Sequence, residues 1–399
     1  MIYTAVLGYG TVGSGVVELI DMNAAKISAK LEQELKVKYI LDIRKFPESP
    51  YADRFVDDFS VIENDPEVKV VVEVIGGINP AYDFTVRALR AGKSVVTSNK
   101  ELVAQKGCEL LQIAKENNVN YFFEASVGGG IPLIRPMHRC MSANEITEFY
   151  GILNGTTNFI LTKMIEDSMS FADALKLAQK LGYAEANPAA DVEGIDACRK
   201  MCILASLAFG NHVYPKDVYA QGIDKITLDD VNIAAKAGYA IKLIGQAKKA
   251  QDGRISVFVS PALVPNDNML AGVKDVFNGV LLKGNAVGDV FLYGRGAGKL
   301  PTASAVVADI LDAAKHFEFL KGWGWQDEKE GAVVPMDEVE SAYFIRFKGV
   351  CENALRQYPT ALIVYRKDEV TAIITPVLKE SEHAKRFANL QVLSAIRVL

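Results

Sequence analysis

Short apolar runs alternate with helical patterns along the first 130 residues. The runs IYTAVL, VKYIL, VKVVVEVI and SVVT are typical of buried parallel strands, and a helical pattern at about 81–91 separates the last two. A repeated order of strand, helix and strand requires a parallel sheet. The pattern predicts an α/β fold with an N-terminal Rossmann-type parallel sheet over residues 1–130.

The pattern changes near residue 145. ITEFYGIL alternates like a half-buried antiparallel strand, and NGTTNFILTKMIED opens a helix through Asn and Thr caps. Further strands are predicted at ISVFVSPALV, VFNGVLL and DVFLYG. Residues 131–295 are therefore expected to form an α+β domain with a mixed or antiparallel sheet, which could extend across a dimer.

Residues 340–399 carry four more strand patterns. These are SAYFIRF, ALIVYR, VTAIITP and SAIRVL, with two short helical stretches among them. The order resembles βαββαβ, so a small C-terminal domain is predicted.

Composition narrows the class of protein. A chain of 399 residues with 50% hydrophobic and 23% charged residues is long enough for two or three ordinary globular domains. The net charge of −5 and the lack of a basic run argue against a nucleic acid partner and favour small molecules. The five cysteines show neither disulfide nor zinc spacing, which suits a reducing compartment. No apolar run reaches about 18 residues and no basic leader precedes the first strand, so no membrane partner and a cytoplasmic location are expected.

The first strand is followed by a glycine fingerprint. Gly8, Gly10 and Gly13 stand in G-x-G-x-x-G spacing, and Thr11 and Val12 lie where the next helix begins. Such glycines allow a tight turn and let the backbone approach a pyrophosphate, whose charge the helix N-terminus meets. The strand before it and the helix after it favour a dinucleotide site over a mere turn.

The second and fourth strands end in polar residues that suit the same ligand. Asp42 is placed to hold ribose hydroxyls, as in NAD binding, whereas Arg44 and Lys45 could accommodate a 2′-phosphate, as in NADP. The choice between NAD and NADP stays open. Thr97 and Lys100 lie just past a strand's carboxyl end, where ligands of open α/β sheets bind, with a solvated lysine at the start of a helix as the alternative for Lys100.

The segment LGYAEANPAADVEGIDACRK, residues 181–200, concentrates charged groups. A helix is expected to restart beyond Asn187 and Pro188, which places Asp196 and Lys200 on one face. An exposed ion pair is the ordinary interpretation of such spacing. Here the neighbouring residues are apolar, which favours a buried acid and base.

This segment resembles the signature of the homoserine dehydrogenases. The positions that match without insertion are Ala178, Gly182, Tyr183, Ala184, Asn187, Pro188, Asp191, Val192, Gly194, Asp196 and Lys200. TSNKELVA, GILNGTTNFIL and GRGAGKLPT also resemble family segments. The last segment implies that the chain returns at about 296–320 to complete the first domain, and residues 131–295 are implied to be the substrate-binding and dimerisation domain. The resemblance implies a reversible NAD(P)-dependent interconversion of L-aspartate 4-semialdehyde and L-homoserine, in threonine, methionine and isoleucine biosynthesis. It also implies a homodimer, and the fingerprint at Gly8 indicates a monofunctional enzyme without a fused aspartokinase.

Hydride transfer needs a group that exchanges a proton with the substrate oxygen, and Lys200 is the candidate general acid and base, with Asp196 orienting it or the hydroxyl. By resemblance, Glu185 and Asp191 bind the substrate amino group and Tyr183 walls the pocket. Residues implied near the cofactor, or where it meets the substrate, are Gly155, Thr156, Gly182 and Gly298.

The glycine-rich stretch EASVGGGI is implied to hold a monovalent cation. By resemblance, sodium would bind at Glu124, Val127, Gly129 and Ile131, in a structural role. Glu124 is the one carboxylate in that stretch of sequence. Many relatives carry an ACT domain in the C-terminal region, but residues 340–399 lack the Asp-x-Pro-Gly turn that opens the effector site of such domains.

Two alternatives remain. The first is another Rossmann oxidoreductase that acts on a different amino alcohol or semialdehyde, which is expected to lack the full run from Ala178 to Lys200. The second is a noncatalytic nucleotide sensor, which loss of Lys200 or Asp196 would have favoured.

Overall fold

The computed structural model describes residues 1–327 and 331–399. Their strands are β1 Ile2–Leu7, β2 Leu35–Leu41, β3 Phe55–Val56, β4 Val68–Glu73, β5 Ser94–Thr97, β6 Tyr121–Phe122, β7 Ile146–Ile152, β8 Tyr219–Ala220, β9 Tyr239–Lys249, β10 Ile255–Pro265, β11 Phe277–Gly284, β12 Gly288–Arg295, β13 Glu340–Lys348, β14 Leu362–Lys367, β15 Val370–Ile374, β16 Leu378–Lys379 and β17 Gln391–Val398.

The α-helices of the same residues are α1 Thr11–Met22, α2 Ala24–Leu31, α3 Phe59–Glu63, α4 Ala81–Arg90, α5 Lys100–Glu116, α6 Gly155–Glu166, α7 Phe171–Lys180, α8 Ala189–Val192, α9 Ile195–Phe209, α10 Leu228–Lys236, α11 Lys299–Lys315, α12 Cys351–Gln357 and α13 Glu380–Phe387. Within the described residues, no helix combines the length and the apolar character needed to cross a membrane.

The chain divides into two compact units. The first comprises Met1–Ala143, Ile203–Tyr214 and Gly294–Glu328, and the second Asn144–Cys202, Pro215–Tyr293 and Lys329–Leu399.

The first unit is built on a parallel sheet with the order β3-β2-β1-β4-β5-β6. Strands β1 and β4 are almost entirely buried, because their Val, Ile and Ala side chains face helices on both sides of the sheet. The strand order reverses direction at β1, which lies between β2 and β4. Ligands of such sheets bind at the carboxyl ends of the strands beside this reversal. Helix α11, which follows about 180 residues after β6, packs against α1 and completes this unit.

The second unit contains a mixed sheet with the order β12-β11-β7-β9-β10-β17-β13-β15-β14, to which β8 and β16 add short pairings. Most of its pairs are antiparallel, while β10 pairs in parallel with β8 and β17. The predicted class, a Rossmann-type parallel sheet followed by an α+β domain, is therefore confirmed. The C-terminal residues give the element order β13-α12-β14-β15-β16-α13-β17, and their ACT-like identity stays a prediction.

Strand β9 has no counterpart among the strands predicted from the sequence. Its Lys242 occupies a buried position with 2% of its surface exposed, and the side-chain ammonium donates to the Asn158 side chain and to the Val273 carbonyl. A lysine inside an apolar run obscures the period of a half-buried strand, which is why the pattern is unclear from sequence. Strand β9 nevertheless joins β7 to β10 in the centre of the sheet.

Candidate active site

The glycine fingerprint forms the turn between β1 and α1. Gly8 has φ +96°, which favours glycine, and a Cβ on Gly13 would lie 1.9 Å from the Gly8 carbonyl oxygen. A Cβ on Gly10 would have no neighbour within 4 Å. The third glycine thus permits close packing within the turn, and the second leaves space in front of the N-terminus of α1, which begins at Thr11 and Val12. These residues fit a dinucleotide pyrophosphate.

Asp42 lies immediately after β2 and is linked to the fingerprint. Its carboxylate accepts from the Tyr9 backbone N–H at 2.7 Å and from the Arg44 guanidinium at 3.0 and 2.8 Å. The hydrogen bonds from Arg44 lower the pKa of Asp42 to about 2. Both residues line a cavity of about 310 Å³ together with Phe46 and Phe55. The acidic and basic candidates of the sequence analysis therefore form one ion pair at the edge of one cavity.

A buried hydrogen-bonded group lies at the carboxyl ends of β4 and β5. The Thr97 hydroxyl donates to the Glu73 carboxylate at 2.7 Å and accepts from the Asn99 backbone N–H at 2.9 Å. Asn99 also caps α5, whose first residue is the half-buried Lys100. Burial raises the pKa of Glu73. Sequence reasoning missed Glu73, because a lone Glu at the end of a valine run gives no sign that a threonine on the next strand will pair with it.

The implied cation loop is organised around Glu124. The carboxylate of Glu124 accepts backbone N–H groups of Leu133 at 2.7 Å, Ile134 at 2.9 Å and Arg135 at 2.8 Å. Because these donors already occupy the Glu124 side chain, a cation would have to be held by the loop's backbone carbonyl oxygens. Gly129 has φ +55°, and its Cβ would lie 2.2 Å from the Gly296 carbonyl oxygen, so the backbone of this loop is closely packed within its unit.

Sequence reasoning placed one carboxylate at this loop, but the fold adds others. Asp309 of α11 accepts from the Glu124 backbone N–H at 2.9 Å and pairs with Arg135, which also donates to Asp312 at 2.6 Å. Burial raises the pKa of Asp309 to about 7. The separation of about 185 residues between the partners hides this network from local sequence patterns.

Asp196 and Lys200 lie in a buried polar cluster of the second unit. Both are on α9, at 3% and 8% exposure, and the Lys200 ammonium donates to the Asp196 carboxylate at 2.8 Å and to the Leu153 carbonyl oxygen at 2.7 Å. Asn154 caps α6 through its side-chain oxygen and donates from its amide nitrogen to Asp196 at 2.9 Å. The structure thus brings the acid and the base of the sequence analysis together in a buried setting.

Asp191 joins the same cluster from α8. Its carboxylate accepts from the Asn154 amide at 2.7 Å, and burial raises its pKa, with the nearby Asp196 charge acting in the same direction. Thr156 donates to the Tyr183 carbonyl oxygen at 2.6 Å, which holds the exposed Tyr183 ring near this site. Within the described residues, the hydrogen bonds of the cluster do not extend to Glu185, whose side chain is exposed.

The remaining glycine candidates lie at or beside helix ends. Gly155 is the first residue of α6, and its Cβ would lie 2.8 Å from the Val276 carbonyl oxygen. Gly182 follows α7, and Gly298 immediately precedes α11. Asn154 is a further functional candidate, beside Glu73, that sequence reasoning missed. An asparagine before an apolar helix indicates a cap, and its second role requires α8 and α9 to fold against it.

Two family models match the chain. The model described as homoserine dehydrogenase, NAD binding domain, covers residues 8–124, and the model described as homoserine dehydrogenase covers residues 132–311. The first match includes the glycine turn, and the second includes the cluster around Lys200.

Curated relatives and solved structures agree with the models. Homoserine dehydrogenase from Bacillus subtilis is 46% identical over 79% of this chain and 73% of its own length. The enzyme from Neisseria gonorrhoeae is 39% identical over 92% of this chain and 86% of its own length. The structure of a homoserine dehydrogenase from Thiobacillus denitrificans superposes with a TM-score of 0.93 at 35% identity, covering 100% of this chain and 98% of that one. The structure of a hyperthermophilic archaeal homoserine dehydrogenase in complex with NADPH gives a TM-score of 0.68 at 29% identity, covering 79% of this chain and 98% of that one. The chain therefore belongs to the homoserine dehydrogenase family of oxidoreductases.

Proposed function

We propose that the chain interconverts L-aspartate 4-semialdehyde and L-homoserine with NADP or NAD, in threonine, methionine and isoleucine biosynthesis, and that Lys200 is its general acid and base. The observation that carries this proposal is the buried contact of the Lys200 ammonium with Asp196. A bound nicotinamide cofactor supplies or accepts the hydride. The chain must then supply a positioned proton donor and acceptor for the substrate oxygen.

Lys200 suits this task because its position is fixed. The Leu153 carbonyl and the Asp196 carboxylate both accept from its ammonium, so the long side chain is held in one place. During reduction of the aldehyde, Lys200 gives a proton to the developing alkoxide. During oxidation of the alcohol, the neutral amine accepts the hydroxyl proton.

Asp191 and Glu185 are proposed to bind the substrate ammonium group. A carboxylate is the natural partner of an ammonium group, and Asp191 is held in the buried cluster by Asn154. The exposed Glu185 is free to approach a ligand from solvent. Asn154 acts as a positioning residue, because one amide nitrogen contacts both Asp191 and Asp196. Tyr183, Gly155 and Thr156 are proposed to complete the substrate pocket.

The glycine turn and the Asp42–Arg44 pair are proposed to bind the dinucleotide. Arg44 is 57% exposed on its side chain and can turn toward a 2′-phosphate, after which Asp42 is relieved of its ion pair. This arrangement supports use of NADP, with NAD as the second cofactor. Thr97, Lys100, Gly182 and Gly298 are proposed to contact the cofactor as well. A sodium ion is proposed at the backbone carbonyl oxygens of Glu124, Val127, Gly129 and Ile131, where it would stabilise the loop.

A homodimer of cytoplasmic location is also proposed. Within the described residues, β12 is an edge strand of the mixed sheet, and its Tyr293 is 51% exposed. An edge strand with an exposed aromatic residue is a surface that a second copy can cover. Light scattering of the purified protein would give the mass of a dimer if this is correct and that of a monomer if it is not.

The central test is oxidation of L-homoserine with NADP and with NAD, followed by absorbance of the reduced cofactor at alkaline pH. Lys200→Ala is expected to lower kcat by about 10²- to 10⁴-fold, the usual contribution of a general acid or base. Lys236→Ala is the matched control, because Lys236 is an exposed lysine on a helix of the same unit.

Cofactor titration of the same proteins separates the two parts of the proposal. If the parent binds cofactor but oxidises no L-homoserine, the substrate is wrong. If Lys200→Ala keeps kcat within a few-fold of the parent, the activity stands but Lys200 is not its acid and base.

A further inference from the structure

Three segments of the first unit meet away from the glycine turn. They are the middle of α5, residues 210–214 and residues 323–327. The His212 backbone N–H donates to the Gln326 carbonyl oxygen at 2.8 Å, and the Gln326 N–H donates to the Gly210 carbonyl oxygen at 3.1 Å. These bonds bring a ring nitrogen of His212, the Cys108 Sγ and a carboxylate oxygen of Asp327 within 4.8 Å of one another.

The His212 ring is buried and held in one orientation. Its Nε2 lies 2.9 Å from the Ala104 carbonyl oxygen, which only accepts, so Nε2 carries the proton and Nδ1 carries the lone pair. The ring stacks on Tyr214 with a centroid distance of 4.0 Å and meets the edge of Trp325 at 5.7 Å. His212 is 1% exposed, and its Nδ1 has no hydrogen-bond partner within residues 1–327 and 331–399.

A buried lone pair without a donor is costly, and native proteins rarely leave one unexplained. A histidine that ligates a metal ion typically donates its other ring N–H to a backbone carbonyl, which is the arrangement of His212 and Ala104. The neighbouring thiol and carboxylate add the donor types that complete a zinc site. The buried ring therefore points to a metal ligand, independently of the clustering of the three residues.

We propose that Cys108, His212 and Asp327 bind one Zn²⁺ ion through Sγ, Nδ1 and a carboxylate oxygen. Sulfur, imidazole nitrogen and carboxylate oxygen are all ligands of zinc, whereas sodium, magnesium and calcium bind almost entirely through oxygen. Three protein ligands leave one position of a tetrahedral ion for water or an exogenous ligand. This site is separate from the cation loop at Glu124 and from the cluster around Lys200.

The geometry requires a small closure. Zinc bonds of about 2.0–2.3 Å place neighbouring ligand atoms about 3.5 Å apart in a tetrahedron. Cys108 is half-buried and Asp327 is exposed, and the Asp327 carboxylate accepts from the Tyr214 hydroxyl at 2.8 Å. Closing the remaining ångström requires the Cys108 and Asp327 side chains to turn, with the Tyr214 hydroxyl following the carboxylate, while His212 stays fixed. Cys108 and Asp327 also line a cavity of about 1110 Å³, which gives an ion a path from solvent.

The bound ion would join α5 to the two later segments of its unit. Because such a site does not exist in the unfolded chain, zinc binding would raise the thermal stability of the folded protein. The expected consequence is a metal-dependent Tm, with homoserine dehydrogenase activity at moderate temperature largely independent of the ion.

The test is titration of the full-length, chelator-treated protein with Co²⁺ as a spectroscopic probe and then with Zn²⁺. We expect one Co²⁺ per chain, intense visible bands of a four-coordinate ion, a thiolate-to-cobalt charge-transfer band, and loss of both on adding Zn²⁺. Cys108→Ser is expected to remove the charge-transfer band and to weaken binding by at least tenfold. Cys140→Ser is the matched control, because Cys140 is an exposed cysteine of the same unit outside the cluster.

Asp327→Asn and His212→Gln extend the test, with circular dichroism confirming that each variant is folded. Since His212 is buried and its variant can fail to fold, the variants of the half-buried Cys108 and the exposed Asp327, Cys108→Ser and Asp327→Asn, decide the matter. The proposal is overturned if the folded parent shows only weak octahedral cobalt spectra. It is also overturned if Cys108→Ser and Cys140→Ser bind cobalt with equal affinity and equal spectra.

Discussion

The amide nitrogen of Asn154 lies 2.7 Å from a carboxylate oxygen of Asp191 and 2.9 Å from one of Asp196. A single donor group thus bridges two acidic side chains that would otherwise repel each other. The Asn154 side-chain oxygen meanwhile accepts from the Thr157 backbone N–H at 2.8 Å, so the same residue fixes the start of α6. The position of the proposed acid and base therefore depends on a helix cap.

Asn154→Ala is expected to lower kcat/KM for L-homoserine by about 10- to 100-fold, because a hydrogen bond to a charged group contributes about 1.5–3 kcal/mol. Asn154→Ser keeps an oxygen that can cap α6 but lacks the amide nitrogen that contacts the two carboxylates. It is expected to lose similar activity while keeping more of the parent's thermal stability than Asn154→Ala does. Wild-type kcat/KM in Asn154→Ser would show that Asn154 serves only as a cap.

Gly13→Ala and Gly10→Ala are expected to fail in different ways. The added methyl group at position 13 would meet the Gly8 carbonyl oxygen at 1.9 Å, so Gly13→Ala should lower both Tm and cofactor affinity. At position 10 it would meet no atom within 4 Å, so Gly10→Ala should leave Tm near that of the parent and weaken cofactor binding alone. Thermal unfolding and cofactor titration check both, and equal Tm losses would contradict the assignment.

Arg44→Ala is expected to raise the ratio of kcat/KM with NAD to that with NADP by about tenfold or more, since a lost charged hydrogen bond costs about 1.5–3 kcal/mol. The change removes the proposed 2′-phosphate partner and leaves Asp42 available to ribose hydroxyls. Arg90→Ala is the control, because Arg90 is an exposed arginine on α4 of the same unit and does not line the cavity of Asp42 and Arg44. An unchanged ratio in Arg44→Ala would exclude this arginine from cofactor choice.

The buried Lys242 is expected to make the stability of the folded protein depend on pH. Burial lowers its pKa from 10.5 to about 8, and the charge of Lys274 acts in the same direction. Glu166 and Asp275 oppose this lowering. Between pH 8 and 10.5 the unfolded chain binds more protons at this position than the folded chain. The free energy of unfolding therefore rises as the pH is raised from 8 to 10.5, and this gain is lost when the pH is lowered back to 8.

Across this pH range the titration of Lys242 changes the free energy of unfolding by about 3 kcal/mol, at about 1.4 kcal/mol for each pKa unit. Lys242→Met should abolish this change. The measurement is the difference in free energy of unfolding between parent and variant at pH 7.5, 9 and 10.5, which cancels the titration of other groups. A constant difference would show that Lys242 keeps an ordinary pKa in the folded protein.

Local patterns predicted those parts of the molecule whose contacts are close in sequence. The parallel strands are continuous valine and isoleucine runs, and Asp196 and Lys200 are four residues apart on one helix, so period and spacing suffice for both. The partners of these residues come from further away. Asn154 is 37 residues from Asp191, and Asp309 is 185 residues from Glu124.

The cysteines show the same limit. Cys108 has no partner at zinc spacing in the sequence, yet the fold places it beside His212, 104 residues later. Spacing rules find sites carried by one short segment, and this cluster is assembled from three. Strand β9 was not predicted for a related reason. The burial of its Lys242 depends on acceptors that other elements provide.

The packing of α11 on α1 sets an order of events during synthesis of the chain. All six strands of the parallel sheet have been made once residue 122 is complete, but α11 begins only at Lys299. At about 5–20 residues per second, the ribosome needs about 10–35 s to cover that interval. Throughout it, the face of α1 that α11 later covers stays open to water. Until α11 emerges, the nascent unit thus exposes apolar surface of the kind that makes folding chains prone to aggregate.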